Sequence, residues 1–229
     1  MKNAIYALCT TVICSLGLVG CSGTYQAYRD TLSYAFKPPA DIELATEQVI
    51  ASPADLLYFR YGEQRQVVLA LAFMEHSQQK WISADNAVVV LQHGRIVRTA
   101  GLPHNLLFVT ASTEDPLTRG VTSLAGSSWQ SLTDWQQDEY GYLVQSQFSQ
   151  PKPETLVILE HSFNVLKVTE TLSYKTRPQF WRFDQQWQNE YWFEQSSGQL
   201  LKTRQQYAPF QPPTEMVFIS RAARLAKAG

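Results

Sequence analysis

The stretch AVVVLQHGRIVRTA, residues 87–100, has the clearest structural signal in the chain. An apolar run lies on each side of the pair His93-Gly94. Glycine adopts the positive φ that a two-residue turn requires, so the stretch predicts an antiparallel β-hairpin. Gly101 and Pro103 end the second strand, because proline has no N–H to donate to a sheet.

Other segments rich in aromatic and β-branched residues lie on both sides of this hairpin, bounded by Gly, Pro, Asn or Ser. Their spacing, without a linker-type change in composition, predicts a mainly β fold. We expect a single antiparallel sheet, curled or barrel-like, with an N-terminal helix. The aromatic-dense residues 180–194 fit one bent strand or two short ones. The other predicted strands are residues 56–61, 66–75, 140–148, 154–163, 166–174, 199–207 and 214–220, and the basic tail 221–228 is compatible with a helix.

Residues 110–137 are the least regular part of the sequence. They contain Asp115-Pro116 and Gly120, which interrupt regular structure. We expect a long connection here, with a short helix near Leu106. Connections longer than about 15 residues are usually functional or mobile, so this segment is the first place to look for a binding edge.

The N-terminus has the parts of a secretory signal. Lys2 is followed by a largely apolar run over residues 4–18, which is shorter than the roughly 20 apolar residues that a transmembrane helix needs. The tetrapeptide Leu-Val-Gly-Cys at 18–21 resembles a bacterial lipobox, in which the Cys21 sulfur receives a diacylglycerol and the chain is cut before that cysteine. The alternative is an ordinary cleaved leader with an incidental cysteine.

This resemblance divides the chain into a lipoprotein signal peptide at 1–20, a lipidated N-terminus and amphipathic helix at 21–39, and a single β-rich periplasmic domain at 40–229. Two or more acyl chains hold a protein stably at a membrane, at roughly 0.8 kcal/mol per buried CH₂ group. Ser22 follows the cysteine, which resembles the outer-membrane address of enterobacterium-like lipoproteins. The expected location is therefore the outer membrane, lipid-anchored and facing the periplasm.

Cysteine use and charge exclude several classes of function. Cys9 and Cys14 leave with the leader and Cys21 carries the lipid, so the β domain has no disulfide and no cysteine metal site. Without Lys2 the chain has one basic residue fewer than the 19 of the full sequence, against 20 acidic ones. This balance gives no basic footprint for nucleic acid. Abundant glutamine and modest charge suit either simple solubility or contact with polyhydroxylated ligands such as glycans.

The sequence contains no motif of known chemistry. The histidines lack metal-ligand spacing, Gly126-Ser127-Ser128 does not match the GxSxG pattern of a serine nucleophile, and no phosphate-binding glycine loop occurs. We therefore predict no cofactor, no metal site and no catalytic residue. The carboxylate pairs, two of them adjacent in sequence and one four residues apart, are interpreted as solvated surface acids, and the aromatic run 181–193 as core rather than ligand platform. The histidines are His76, His93, His104 and His161, and the carboxylate pairs are Glu114/Asp115, Asp138/Glu139 and Glu190/Glu194.

The hairpin continues into a longer string that has a family resemblance. The string is Gly94-Arg95-Ile96-Val97-Arg98-Thr99-Ala100-Gly101-Leu102 followed by Asn105-Leu106, accompanied by residues 81–86, NEYW at 189–192, SGQ at 197–199 and KTRQ at 202–205. Together these segments resemble the YjbF family, the group 4 capsule polysaccharide lipoproteins, over most of the mature chain. The resemblance implies a non-enzymatic outer-membrane lipoprotein tied to capsule or exopolysaccharide production and encoded beside other secretion components.

We therefore expect a non-catalytic accessory factor of polysaccharide production or secretion. Its expected partners are membrane lipid, through acylated Cys21, and either polysaccharide or other secretion proteins, but not nucleic acid. Two alternatives stay open: a periplasmic carrier of acyl chains or glycans, and a glycan-processing enzyme with two carboxylates about 5–10 Å apart across a cleft. The residues expected to form a binding surface are Arg95, Arg98, Trp129, Trp135 and Trp192, with the two arginines on opposite faces of their strand.

Overall fold

The computed structural model contains the hairpin predicted at residues 87–100. His93 and Gly94 form its turn, and both have positive φ, 51° and 90°. A Cβ atom on Gly94 would lie 2.3 Å from Leu200 Cδ2. Glycine therefore provides both the turn conformation and the close approach of this turn to a later strand.

The structure describes residues 40–174 and 186–228; the signal peptide, Cys21 and the helix predicted at 22–36 lie outside these ranges. None of the helices within the two ranges is long and apolar enough to cross a membrane. The strands are β1 (Leu56–Tyr61), β2 (Val67–Glu75), β3 (Gln78–Ser83), β4 (Val88–Gln92), β5 (Arg95–Ala100), β6 (Leu106–Thr110), β7 (Ser128–Trp135), β8 (Glu139–Phe148), β9 (Lys152–Ile158), β10 (His161–Tyr174), β11 (Gln186–Glu194), β12 (Leu200–Gln205) and β13 (Thr214–Val217). The helices are α1 (Thr46–Ala51) and α2 (Ile219–Ala228), with short 3₁₀ turns at Pro116–Arg119 and Val121–Ser123.

The strands form one antiparallel sheet in the order β5-β4-β3-β2-β1-β13-β12-β11-β10-β8-β7-β6. The two ends of this path come together, because Thr99 Oγ1 of β5 accepts a hydrogen bond from Leu106 N of β6 at 2.9 Å. The sheet is therefore a nearly closed barrel, which leaves little exposed edge between β5 and β6. This architecture confirms the predicted mainly β fold with a single curled, barrel-like sheet.

β9 continues the line of β8 after a break at residues 149–151. β10 is 14 residues long; its C-terminal half pairs with β8 and its N-terminal half with β9. Ser149 bridges the break, since its Oγ accepts from Thr169 N at 3.0 Å and its N donates to Thr169 O at 2.8 Å. The turn between β9 and β10 lies at 159–160, where both residues have positive φ, and not at the predicted 163–164.

Two hydrophobic cores lie on the two faces of the sheet. The barrel interior is filled by inward-facing side chains such as Trp135, Phe148 and Tyr191, which are fully buried. The outer core lies beneath α2 and contains Ile219 of that helix and the outward-facing Trp192. The helix at the C-terminal end is therefore part of the packed structure and not a free basic tail.

Residues 110–137 contain a strand where an irregular connection was expected throughout. β6 also replaces the short helix predicted near Leu106. Ser131 and Thr133 occupy two inward positions of β7, and both are buried. Polar residues in the inward row conceal the alternation that indicates a strand. The irregular connection is thus shorter than predicted and spans residues 111–127.

Candidate functional site

A buried cluster of charged side chains lies inside the barrel, next to the hairpin turn. Arg95, the first residue of β5, is 4% exposed. Its Nη1 donates to Glu170 Oε2 at 2.9 Å, and its Nη2 lies 2.8 Å from Glu170 Oε1. Nη2 also donates to Asp115 Oδ1 at 3.1 Å, and Nε donates to Asp115 Oδ2. Together with Tyr191, these three residues are called the Arg95 cluster below.

Hydrogen bonds from neighbouring strands complete the cluster. The Tyr191 hydroxyl, on β11, donates to Glu170 Oε2 at 3.0 Å. Gln205 of β12 holds the hairpin, since its Nε2 donates to Gly94 O at 2.7 Å and its Oε1 accepts from Ile96 N at 3.0 Å. Side chains from β5, β10, β11 and β12 therefore meet at this end of the barrel interior.

The cluster fixes the protonation of two of its members. Burial acts to lower the pKa of the Arg95 guanidinium, but the charges of Glu170 and Asp115 outweigh burial and hold this pKa well above its ordinary value. Burial and the charge of Glu170 raise the pKa of Tyr191 well above its ordinary value. A cationic arginine and a neutral tyrosine are poorly suited to proton transfer near neutral pH. Within residues 40–174 and 186–228, no group of three His, Cys, Asp or Glu side chains could hold a metal ion.

Asp115 attaches the connection of residues 111–127 to the barrel. Its Oδ1 accepts from Leu117 N at 3.0 Å, which caps the first 3₁₀ turn. The Arg95 Cζ atom also lies 4.4 Å from the centre of the Trp129 ring, within range of a cation–π interaction. Arg95 therefore links the connection, through Asp115, to the barrel wall.

Little space remains inside this end of the barrel. The cavity beside Arg95 and Trp135 has a volume of about 40 Å³. That is room for roughly one water molecule, whereas ligand pockets usually enclose about 300–1,000 Å³. A larger groove, of about 390 Å³, lies outside, between His93 in the hairpin turn and Glu114 in the connection, with Trp129 in its wall. The cavity beside Arg95 and Trp135 is therefore too small for a ligand larger than water, whereas the outer groove is not.

Arg95 and Trp129 are the two predicted binding residues that the structure brings together. Trp129 is half-buried, and its Nε1 donates to Thr113 O at 3.2 Å. Arg98 is exposed, whereas Arg95 points into the barrel. The assignment of Arg95 to a binding surface is therefore wrong, because its guanidinium is enclosed and neutralised by Glu170 and Asp115.

Trp135 and Trp192 also belong to the packed interior and not to an exposed surface. Trp135 is 0% exposed, and its Nε1 donates to Tyr207 O at 2.8 Å. Trp192 is 6% exposed in the outer core, and the ammonium groups of Lys167 and Lys202 lie 4.9 Å and 5.3 Å from its ring centre. Each indole is enclosed by protein, so neither offers a free face to a polymer.

Glu170 is the member of the cluster that sequence analysis missed. It is 0% exposed and takes an inward position on β10 between Val168 and Leu172. The alternating apolar residues around Glu170 could have indicated it, because a carboxylate in an apolar inward row needs a buried partner. Asp115, expected in solvent beside Glu114, points into the cluster instead, as neighbouring residues in extended chain face opposite ways.

A family model matches most of the chain. Its description is group 4 capsule polysaccharide lipoprotein GfcB, YjbF, and the match covers residues 29–219. The chain belongs to this family. The matched region includes every strand of the barrel described above and all four members of the Arg95 cluster. The family predicted from the sequence is thereby confirmed.

Two curated lipoproteins and one solved structure from Escherichia coli K12 are similar to this chain. The uncharacterized lipoprotein GfcB is 34% identical over 213 residues, covering 92% of this chain and 96% of its own. The uncharacterized lipoprotein YjbF is 28% identical over 215 residues, with the same two coverages of 92% and 96%. The crystal structure of the hypothetical lipoprotein YmcC matches with a TM-score of 0.67 and 31% identity, over 84% of this chain and 93% of that one. Membership therefore indicates a lipoprotein from a family associated with capsule polysaccharide.

Proposed function

We propose that this protein is a non-catalytic accessory factor of capsule or exopolysaccharide production, anchored through acylated Cys21 to the outer membrane and facing the periplasm. The match of residues 29–219 to the group 4 capsule polysaccharide lipoproteins carries the proposal. The sequence Leu-Val-Gly-Cys, followed by Ser22, supports the lipid anchor and the outer-membrane location. The partners are membrane lipid and either the polymer or proteins that export it.

The small size of the cavity inside the barrel beside Arg95 favours this role over that of an acyl-chain carrier. A carrier needs an apolar interior space of the size of a ligand pocket, about 300 Å³ or more. The interior cavity beside Arg95 and Trp135 holds about 40 Å³. Contacts with a large partner are therefore made on the outer surface.

The Arg95 cluster also favours a structural role for its carboxylates over glycan hydrolysis. A glycosidase places two carboxyl groups across an open cleft that receives the sugar. Glu170 and Asp115 instead contact the same guanidinium, which stands between them. Both carboxylates are therefore occupied by a buried cation and are not free to act on a sugar.

Deletion and complementation test the proposal. We expect loss of the gene to reduce polysaccharide extracted from the cell surface, and the wild-type gene to restore it. Cys21→Ala should move the protein from the outer-membrane fraction to the soluble periplasm and fail to restore the polymer. Cys14→Ala, which alters a cysteine of the leader, is the matched control and should restore it. Normal surface polysaccharide in the deletion strain would overturn the proposal.

A further inference from the structure

The outer face of β7, β8, β10 and β11 carries two straight rows of uncharged polar side chains. Residues directly opposite each other in an antiparallel sheet share one face. The first row is Ser128, Gln147, Thr171 and Gln188, and the second is Gln130, Gln145, Ser173 and Gln186. All eight are exposed or half-exposed, and they are called the amide face below.

Charge begins directly beyond the first row. Glu190 is the next outward residue of β11, and its carboxylate lies 2.6 Å from Lys167 Nζ and 3.8 Å from Arg204 Nη1. Protein surfaces commonly carry about 25–35% charged residues. Eight neighbouring positions that hold only Gln, Ser and Thr therefore form a chemically distinct surface beside an ordinary charged one.

The amide face lines an open groove. A groove of about 610 Å³ is lined by seven of the eight side chains, with Trp129 and Thr113 at its border. Neighbouring strands lie ~4.8 Å apart, so the four strands extend the rows over ~14 Å. The groove volume lies within the usual range of ligand sites, about 300–1,000 Å³. The dimensions suit an extended chain of small polar units that crosses the strands.

The hydrogen-bonding groups of this face suit hydroxyl groups. A glutamine amide offers donors and an acceptor, and a serine or threonine hydroxyl both donates and accepts. Sugar hydroxyls have the same double capacity. Among the residues that the structure describes, these eight side chains make one hydrogen bond to the protein, from Gln147 Nε2 to Gly126 O at 3.5 Å. The eight positions themselves hold no large apolar residue of the kind that forms the centre of protein–protein interfaces; the exposed Leu132 and Leu143 lie beside the second row.

We infer that the amide face binds uncharged, hydroxyl-rich stretches of the polysaccharide, laid across β7, β8, β10 and β11. This inference rests on the proposed function, which brings the polymer to the membrane where the protein is held. Recognition uses neutral hydrogen bonds, many of them bridged by water. Binding of the polymer is accordingly expected to depend weakly on salt.

The test compares two triple variants of the full-length protein, solubilised from membranes in detergent. The probe is capsular polysaccharide purified from the producing strain, and binding is measured by isothermal titration calorimetry. The first variant, Gln130→Ala/Gln145→Ala/Gln147→Ala, removes the centre of the amide face. The second, Gln64→Ala/Gln195→Ala/Gln199→Ala, removes three exposed glutamines elsewhere and is the matched control.

We expect the amide-face variant to bind the polymer at least about tenfold more weakly, as the loss of several neutral hydrogen bonds implies. The control should bind like the wild type, and circular dichroism should show that both variants are folded. If the first variant does not fold, Gln145→Glu, which places one charge at the centre of the second row, should weaken binding instead. Equal binding by the amide-face variants, no binding by the wild type, or binding abolished by moderate salt would each overturn the inference.

The deletion strain separates this inference from the proposed function. Suppose that the deletion strain has less surface polysaccharide and that the amide-face variant restores it. The proposed function would then stand, but the amide face would not be the binding site on which it depends. Normal surface polysaccharide in that strain would remove the proposed function. The calorimetry would then still decide whether the face binds the polymer.

Discussion

The Arg95 guanidinium lies 2.8 Å from the Glu170 carboxylate inside the barrel, although the two residues are 75 positions apart in the chain. Arg95 belongs to β5, one end of the sheet path, and Glu170 to β10. β6, β7 and β8 lie between these two strands across the closure of the barrel. The ion pair therefore joins the two sides of the closure, in addition to the hydrogen bond from Leu106 N of β6 to the Thr99 side chain of β5.

Replacing Glu170 should destabilise the fold strongly. Glu170→Gln keeps the shape of the side chain but leaves the buried Arg95 with Asp115 as its remaining carboxylate. Removing one partner of a buried ion pair typically costs about 3–5 kcal/mol, and the lower end applies here because Asp115 stays. Equilibrium urea unfolding, followed by tryptophan fluorescence, measures the change.

The control for this variant is Glu114→Gln. Glu114 is exposed and lies 3.8 Å from Arg119. Exposed pairs of this kind contribute less than about 1 kcal/mol. A similar loss of unfolding free energy in both variants would show that the Arg95 cluster does not stabilise the barrel.

Asp115→Asn should loosen the connection while the barrel stays folded. The substitution weakens the contact with Arg95, although the amide oxygen can still accept from Leu117 N. We expect amide protection at 111–127 to fall by about tenfold or more in hydrogen exchange, because local opening requires less free energy. Protection of Val168 in β10 should change little. Unchanged protection at Leu117 would contradict the attachment role of Asp115.

Most strands follow from sequence because their inward rows are apolar. The hairpin at 87–100 is the clearest case, with Val89 and Leu91 facing the core and a turn that requires Gly94. β7 could not be predicted in the same way, because two of its inward-facing residues, Ser131 and Thr133, are polar. Periodicity detects strands by contrast between the two faces, and that contrast is weak where buried positions are polar.

The Arg95 cluster was harder to predict for another physical reason. A charged residue in a single sequence is expected in solvent unless its partner is known. The partners of Arg95 come from β10 and from the irregular connection, and only the closed barrel brings them together. The amide face was equally hard to predict, because Gln130, Gln145 and Ser173 become neighbours through the pairing of strands and are far apart in the sequence.

Acid should weaken the turn that joins β11 and β12. Burial acts to raise the pKa of Glu194, but hydrogen bonds from Ser197 and Ser196 outweigh it and lower this pKa to about 2. Ser197 N donates at 2.6 Å and Ser196 N at 2.9 Å. A depressed folded-state pKa gives stability that is present above the unfolded value of 4.5 and lost as the pH falls towards 2.

A comparison of the wild type with Glu194→Gln isolates this contribution. The difference in unfolding free energy should be on the order of 1 kcal/mol at neutral pH, since the turn is near solvent. It should shrink between pH 4.5 and pH 2, the window set by the two pKa values. Urea unfolding at a series of pH values measures the difference. A difference that stays constant across that window would contradict the assignment to Glu194.

Gly94→Ala should destabilise the protein more than the same change at another glycine of positive φ. Gly94 has φ of 90°, and a new Cβ would meet Leu200 Cδ2 at 2.3 Å. Gly198 has φ of 67°, with no atom within 4 Å of a new Cβ. Backbone strain alone costs about 1–2 kcal/mol at such positions, and overpacking adds about 1–3 kcal/mol. Thermal and urea unfolding should therefore show that Gly94→Ala is clearly less stable than Gly198→Ala. Equal losses of stability would mean that the hairpin turn is not tightly packed against β12.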